Sequence, residues 1–158
     1  CAFLGVDTVM TRDTEEISYP SEAKTIAAMK KWDTRRRVEI AESVDSPVFL
    51  SIHQNIYPSS GPHGSQVLYA QNEPSRALAE LIQSRLTAAL LPENRRVPVP
   101  AGKDIYIMSH VQCTAVLVEC GFLSHPQELS LLQSADYQKK IASVLTACYL
   151  QFTEKGVL

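Results

Sequence analysis

The sequence lacks the features that would mark several classes. Its four cysteines (Cys1, Cys113, Cys120, Cys148) form no CxxC pair and no disulfide-scaffold spacing, so packing as buried apolar thiols is their ordinary role. No apolar run is long enough to cross a bilayer. There is no excess of positive charge: 15 Lys+Arg stand against 17 Asp+Glu, a net charge of −2, which argues against a nucleic-acid partner. Internal repeats, linkers and low-complexity tracts are missing too. Disorder, collagen and coiled coil are thereby excluded. What remains is 158 residues, 45% hydrophobic and 20% charged, enough for one domain over 1–158 with a sizeable core. The opening Cys1-Ala2-Phe3-Leu4 has no methionine and no signal-peptide pattern, and is expected to be a cut through a longer polypeptide.

Patterning predicts alternating strands and helices. The β-branched run Val6–Thr11 after Gly5 predicts a strand, followed by a loop from Thr14 to Ser21. A weakly patterned helix is expected over Ala23–Lys31. A better stripe follows (Val38, Ile40, Ala41, Val44), with Asp33 or Thr34 as N-cap. Pro47–Ile52 is apolar on both faces and predicts a buried, interior strand, and Val67–Tyr69 a short one. Pro74 opens the clearest helix, with Leu78, Leu81, Ile82, Leu86, Ala89 and Leu90 at helical spacing and Pro92 past its end. Pro92–Lys103 predicts a surface connection. Ile105–Met108 and Ala115–Val118 predict strands, the second ending at Glu119 and a turn through Gly121, Ser124 and Pro126. Gln127–Leu132 and Ala135–Phe152 predict the closing helices. The fold class is therefore α/β, a three-layer arrangement with a mostly parallel or mixed sheet flanked by helices.

Two polar residues stand where an open α/β sheet places its ligands, just past the carboxyl ends of apolar strands: His53 and Glu119. A carboxylate buried at such a strand end is costly without a partner. A metal with its activated water would supply one, and loop amides another. Each residue alone equally fits a satisfied strand-end histidine or a turn-capping acid.

The flanking words add a pattern. Gly5-Val6-Asp7-Thr8-Val9-Met10-Thr11-Arg12, Arg37-Val38-Glu39-Ile40-Ala41, Leu50-Ser51-Ile52-His53-Gln54-Asn55, Gly64 and Val116-Leu117-Val118-Glu119-Cys120-Gly121-Phe122-Leu123-Ser124 occur in that order. This order resembles the zinc-dependent N-acetylmuramoyl-L-alanine amidases that trim bacterial peptidoglycan. Arg35–Ala41 and the stretch from Glu128 to Tyr137-Gln138-Lys139-Lys140 resemble the germination-specific, spore-cortex subgroup. The resemblance implies hydrolysis of the amide between N-acetylmuramic acid and L-alanine, in the cell wall or spore envelope outside the cytoplasm. It implies His53 as a zinc ligand and Glu119 as the catalytic glutamate serving the water. Asn55 would orient the loop or bond substrate, an Asx turn being the local alternative. Neutral imidazole suits zinc, and an open coordination position lets the metal activate water and polarise a carbonyl.

The sequence departs from the family at its start. The first histidine word and the glutamate ligand on the following helix do not precede Gly5, and Cys1–Leu4 resembles the tail of that helix. The expectation is a domain lacking the family's first strand and helix, with zinc absent or poorly occupied in this chain alone. An exposed sheet edge open to self-association is expected as well. The rival reading is a non-catalytic wall-binding or regulatory module that keeps the fold.

Weaker signals have plainer explanations. Cys120 beside Glu119 suggests a cysteine hydrolase only faintly. His63, His110 and His125 share no metal-type spacing and are expected in loops, His110 as a possible rim group. Lys30, Lys31, Arg35 and Arg36 fit a solvated helix face. Arg37 is the exception, placed to pair with a buried carboxylate and brace the sheet. Trp32 and Tyr57 fit packing better than a glycan-facing rim.

Overall fold

A computed structural model describes residues 1–154, so residues 155–158 of the expected domain lie outside the described ones. Nine elements follow a 3-10 turn at Ala2–Leu4: α1 (Ile26–Glu42), β1 (Val48–Asn55), β2 (Gln66–Tyr69), α2 (Glu73–Leu90), β3 (Val99–Pro100), α3 (Tyr106–His110), β4 (Thr114–Phe122), α4 (Pro126–Leu132) and α5 (Ala135–Glu154). The four strands form one mixed sheet in the order β1-β4-β2-β3. β1 runs parallel to β4, β2 antiparallel to β4, and β3 parallel to β2.

Both faces of the sheet are covered because β4 is apolar on both. Val116, Val118 and Cys120 pack with Val67 against Leu78, Ile82 and Leu86 of α2 and Ile141, Leu145, Cys148 and Phe152 of α5. Ala115 and Leu117 point the other way, to Val38 and Ala41 of α1 and Met108 of α3. The steps of four and three residues along α2 and α5 turn one stripe of each helix inward. The result is three layers, as the sequence predicts.

α2 also reaches the sheet through a hydroxyl. Asn72 caps the helix by accepting from the Ser75 amide at 2.9 Å, and the fully buried Ser75 Oγ accepts from the Ala115 amide at 2.8 Å. Replacing Ser75 by alanine orphans that amide inside the core. The expected loss is about 1.5 kcal/mol, read as a melting temperature lower by about 4 °C.

Several elements differ from expectation. Val6–Thr11 is not a strand but irregular chain with Val9 and Met10 exposed. β-branched residues favour a strand only where a ladder and a packed face receive them, and this segment has neither among the described residues. The stretches read as Ala23–Lys31 and a second helix from Asp33 form one helix, α1. Its N-cap is Thr25, whose hydroxyl accepts from the Ala28 amide at 3.1 Å, so Asp33 and Thr34 lie inside it. Ile105–Met108 is no strand but the N-cap and first residues of α3, since a four-residue apolar run does not separate strand from helix. The proline-rich connection contains β3, whose Pro100 sits at the sheet edge, where a missing N–H does least harm. The run Pro47–Ile52, read as interior, supplies from Val48 onward the start of β1 at the sheet's edge, exposed over Ile52–Gln54. Cys1 is exposed, with Sγ 3.6 Å from Thr146 Oγ1, whereas Cys120 and Cys148 are buried as expected.

Candidate active site

The parallel pairing of β1 and β4 puts His53 opposite Glu119 in the ladder. Neighbouring strands lie about 4.8 Å apart and paired residues share a face. The histidine and the acid, 66 residues apart in sequence, therefore sit side by side at the carboxyl end of the parallel strands. Both take the face on which Phe49 and Leu117 meet α1. On the other side of Glu119, the antiparallel β2 contributes Gln66 as its ladder partner.

Their environments push the two groups toward useful forms. Burial raises the Glu119 carboxyl above its ordinary 4.5. Its Oε2 is buried with no hydrogen-bond partner among the described residues. Partial burial of the ring, and then the positive charge of Arg37, lower His53 below its ordinary 6.5. A proton-accepting carboxylate thus stands beside an imidazole held neutral. Paired perturbations of this kind are what acid–base sites are built from.

β4 is irregular just beyond this pair. His53 faces Glu119, but Asn55 faces Phe122, so β4 spends three residues where β1 spends two. The extra residue is a β-bulge next to Glu119. Bulges recur beside active sites, where they re-aim a side chain. Instead of turning at Gly121, the strand continues through the bulge to Phe122.

The surrounding residues divide clearly. Arg37 donates from Nε to Asp33 at 2.9 Å, both side chains 23% exposed, so its partly buried carboxylate partner lies one turn back on α1 itself and the pair ties the helix to itself, not to the sheet as expected. Asn55 accepts from the Ile56 amide through its side-chain oxygen at 2.8 Å, and its carbonyl accepts from Leu123 N. That side chain is committed locally. Tyr57 is exposed and its amide donates to Ser124 Oγ at 3.1 Å. Trp32 packs edge-on against Tyr19 at 5.8 Å. Lys30, Lys31, Arg35 and Arg36 are exposed on α1, as expected. His110 is no rim group: it ends α3 and stacks on Tyr106 before β4 begins, at the opposite end of the sheet. His125 caps α4, and its ring lies 5.2 Å from that of His63. Cys120 faces α2 and α5, away from Glu119's side. Burial, with Glu119's charge, pushes its thiol up to about 11, so it is no nucleophile at neutral pH.

Glu128, Gly64, Asn94 and Arg96 gather behind the bulge, and only the first two figure in the sequence reading, as letters in a word. The signal for Glu128 was its place three residues past a helix N-cap, where a glutamate commonly reaches back to amides.

Zinc asks for three protein donors and an open position. Among the described residues no three His, Cys, Asp or Glu side chains converge. His53 has the chemistry of a zinc ligand and Glu119 that of an acid serving a bound water, but one protein donor does not close a zinc site.

A family model described as N-acetylmuramoyl-L-alanine amidase matches residues 3–148. The chain is 35% identical over 157 residues to the germination-specific N-acetylmuramoyl-L-alanine amidase of Bacillus subtilis, covering 96% of this chain and 64% of that protein. It spans, then, slightly under two thirds of that relative. The structure of the CwlD amidase from Clostridioides difficile, in complex with the GerS lipoprotein, superposes with a TM-score of 0.85 at 30% identity, covering 92% of this chain and 75% of that one. The amidase Ami1 from Mycobacterium smegmatis shares the fold, with a TM-score of 0.77 at 22% identity over 98% of this chain and 70% of that one.

Proposed function

Because the chain belongs to the N-acetylmuramoyl-L-alanine amidase family, we propose that it serves hydrolysis of the amide between the lactyl group of N-acetylmuramic acid and L-alanine in peptidoglycan. Its place of action is the cell wall or spore envelope, outside the cytoplasm. The observation that carries this reading is the pairing of His53 with Glu119 across β1 and β4.

Glu119 is the proton-handling group. Its ionised carboxylate takes a proton from the attacking water as the water oxygen bonds to the amide carbon. When the C–N bond breaks, the same carboxyl returns that proton to the departing alanine nitrogen. A carboxyl raised by burial suits both halves, since its proton affinity lies closer to neutral than that of a solvated glutamate. His53, kept neutral, offers a nitrogen lone pair at the same spot. It is the natural nitrogen donor toward a metal. The described residues do not complete a zinc donor set. Asn55 holds the strand end through its own backbone and serves substrate at most through its free amide nitrogen.

The test is direct. Purified protein is incubated with muramoyl-peptide substrate, with and without added zinc, and products are read by mass spectrometry. New peptides with a free L-alanine amino terminus support the reading. Cleavage only in the glycan or the cross-link overturns it. Retention of intact substrate on the protein, without cleavage, selects the non-catalytic wall-binding module.

A further inference from the structure

Glu128 is a buried carboxylate outside the catalytic pair, 8% exposed, on the short helix α4. As the third residue of that helix it would ordinarily reach back to the capping residue's own amide. Instead its two oxygens go to two different segments. Oε2 accepts from the Phe122 amide at 2.8 Å, and Oε1 accepts from the Gly64 amide at 2.8 Å. Charge-assisted bonds of this kind are about twice as strong as neutral ones.

The location of the two amides gives the arrangement its meaning. Phe122 lies three residues past Glu119 on β4, on the far side of the bulge. Gly64 lies two residues before Gln66, Glu119's ladder partner on β2. One carboxylate therefore ties the acid's own strand, just past the bulge, to the segment that leads into the neighbouring β2. Gly121, inside the bulge, leaves room for it: a Cβ there would meet the Glu128 carboxylate at 3.2–3.4 Å. Other contacts close the same corner. Arg96 Nε donates to the His63 carbonyl at 2.8 Å, and its guanidinium lies 4.7 Å over the Phe122 ring.

We propose that Glu128 is a positioning residue, whose carboxylate locks the β4 bulge and the β2 approach so that Glu119 is held in a single orientation at the strand end. Reacting groups must be held to within fractions of an ångström, and misplacement by about 1 Å costs up to about a hundredfold in rate. The inference rests on the proposed hydrolytic role of Glu119 for its kinetic consequence, and on geometry alone for its structural one.

Glu128→Gln is the first test, because it keeps size and one acceptor while removing the charge and the second acceptor. Ser75→Ala, remote from the site, serves as the control for lost stability. In Glu128→Gln the expected result is a kcat about tenfold lower with KM unchanged within twofold. Amide hydrogen exchange should accelerate at Gly64 and Phe122, and the Glu119 side-chain carboxyl resonance should move. None of these should change in Ser75→Ala at matched distance from its melting point. An unchanged Glu119 resonance, with Gly64 and Phe122 released, overturns the proposal, whether or not the protein hydrolyses substrate. An unmoved kcat in a wild type that does hydrolyse overturns it as well. Absence of hydrolysis by the wild type instead defeats the proposed function and leaves the resonance and exchange readings to decide. If Glu128→Gln does not fold, Gly121→Ala displaces the carboxylate by a few tenths of an ångström, and the same pattern is expected at smaller amplitude.

Discussion

Glu119→Gln is expected to lower kcat by about a thousandfold and, at neutral pH, to make the protein more stable. The first half follows from the proposed role. General acid–base catalysis by one positioned group contributes roughly a hundred- to ten-thousandfold, and an amide can neither accept the water's proton nor return it. The second half follows from burial. Glu119 Oε2 is out of solvent without a partner, and a neutral amide is cheaper there than a charge by about 1 kcal/mol. The pH dependence has a definite sign. Because the folded carboxyl is raised above 4.5, the folded protein holds the proton more tightly than the unfolded chain does. Wild-type stability is therefore undiminished by this group below pH 4.5 and falls as pH rises from there through the folded value. The stabilising effect of Glu119→Gln should be present at pH 7, shrink on acidification and vanish below about pH 4.5. Melting curves of both proteins at pH 4 and pH 7, beside initial rates, check both halves. A variant that loses activity and stability together would mean that Glu119 is a structural residue.

His53 acts on the same curve from the other side. Its imidazole is lowered below 6.5 by burial and by Arg37, so the folded protein resists charging it. The contribution of neutral His53 is complete above pH 6.5 and is lost as pH falls through that value and below. One member of the pair works against the fold at neutral pH and the other in acid. Sites that need perturbed groups carry such burdens as a rule.

How the pair became visible in the sequence bears on what stayed hidden. His53 and Glu119 stand out because each ends an apolar run, and strand ends are where an α/β sheet exposes chemistry. The helices α2 and α5 are legible for a similar reason: their stripes are long, so the 3.6-residue period is sampled several times over. Val6–Thr11 and Ile105–Met108 are too short for a period to speak, and the outcome depended on whether a neighbouring strand was there to receive them. Edge or interior position was equally hidden for β1, since an apolar strand says nothing of how many neighbours it has. The bulge at Cys120–Gly121 is a matter of register between β1 and β4, a property of two segments at once. The bonds of Glu128 to Gly64 and Phe122 span 64 and 6 residues. The place of Glu128 three residues past an N-cap marks it as an acid that meets backbone amides, but no local pattern says which distant amides they are, because every residue but proline carries one.

Gly64 shows how a residue singled out by a word acquires a reason in three dimensions, and its replacement by alanine has the largest expected effect on stability. Its φ is +89°, in the region L side chains avoid, which costs about 1–2 kcal/mol for any residue with a Cβ. An added Cβ would also stand 2.6 Å from Asn94 Oδ1. Asn94 has little freedom to withdraw. It is buried, it donates through Nδ2 to the Ser65 carbonyl at 2.8 Å, and its Oδ1 accepts from the Arg96 amide at 3.0 Å. Forcing a methyl group into a filled site costs a further 1–3 kcal/mol or so. Gly64→Ala should therefore lose about 3 kcal/mol in all, a melting temperature lower by about 9 °C. The same strain pulls on the Gly64 amide that Glu128 holds, so the loss should not be confined to stability. Asn94→Ala in the Gly64→Ala background separates the two parts. It removes the collision and leaves the positive φ, so part of the lost stability should return, and with it the exchange protection of the Phe122 amide. If the double variant is less stable than Gly64→Ala by the full cost of losing Asn94, the collision is not what destabilises this corner, and backbone conformation alone accounts for the glycine.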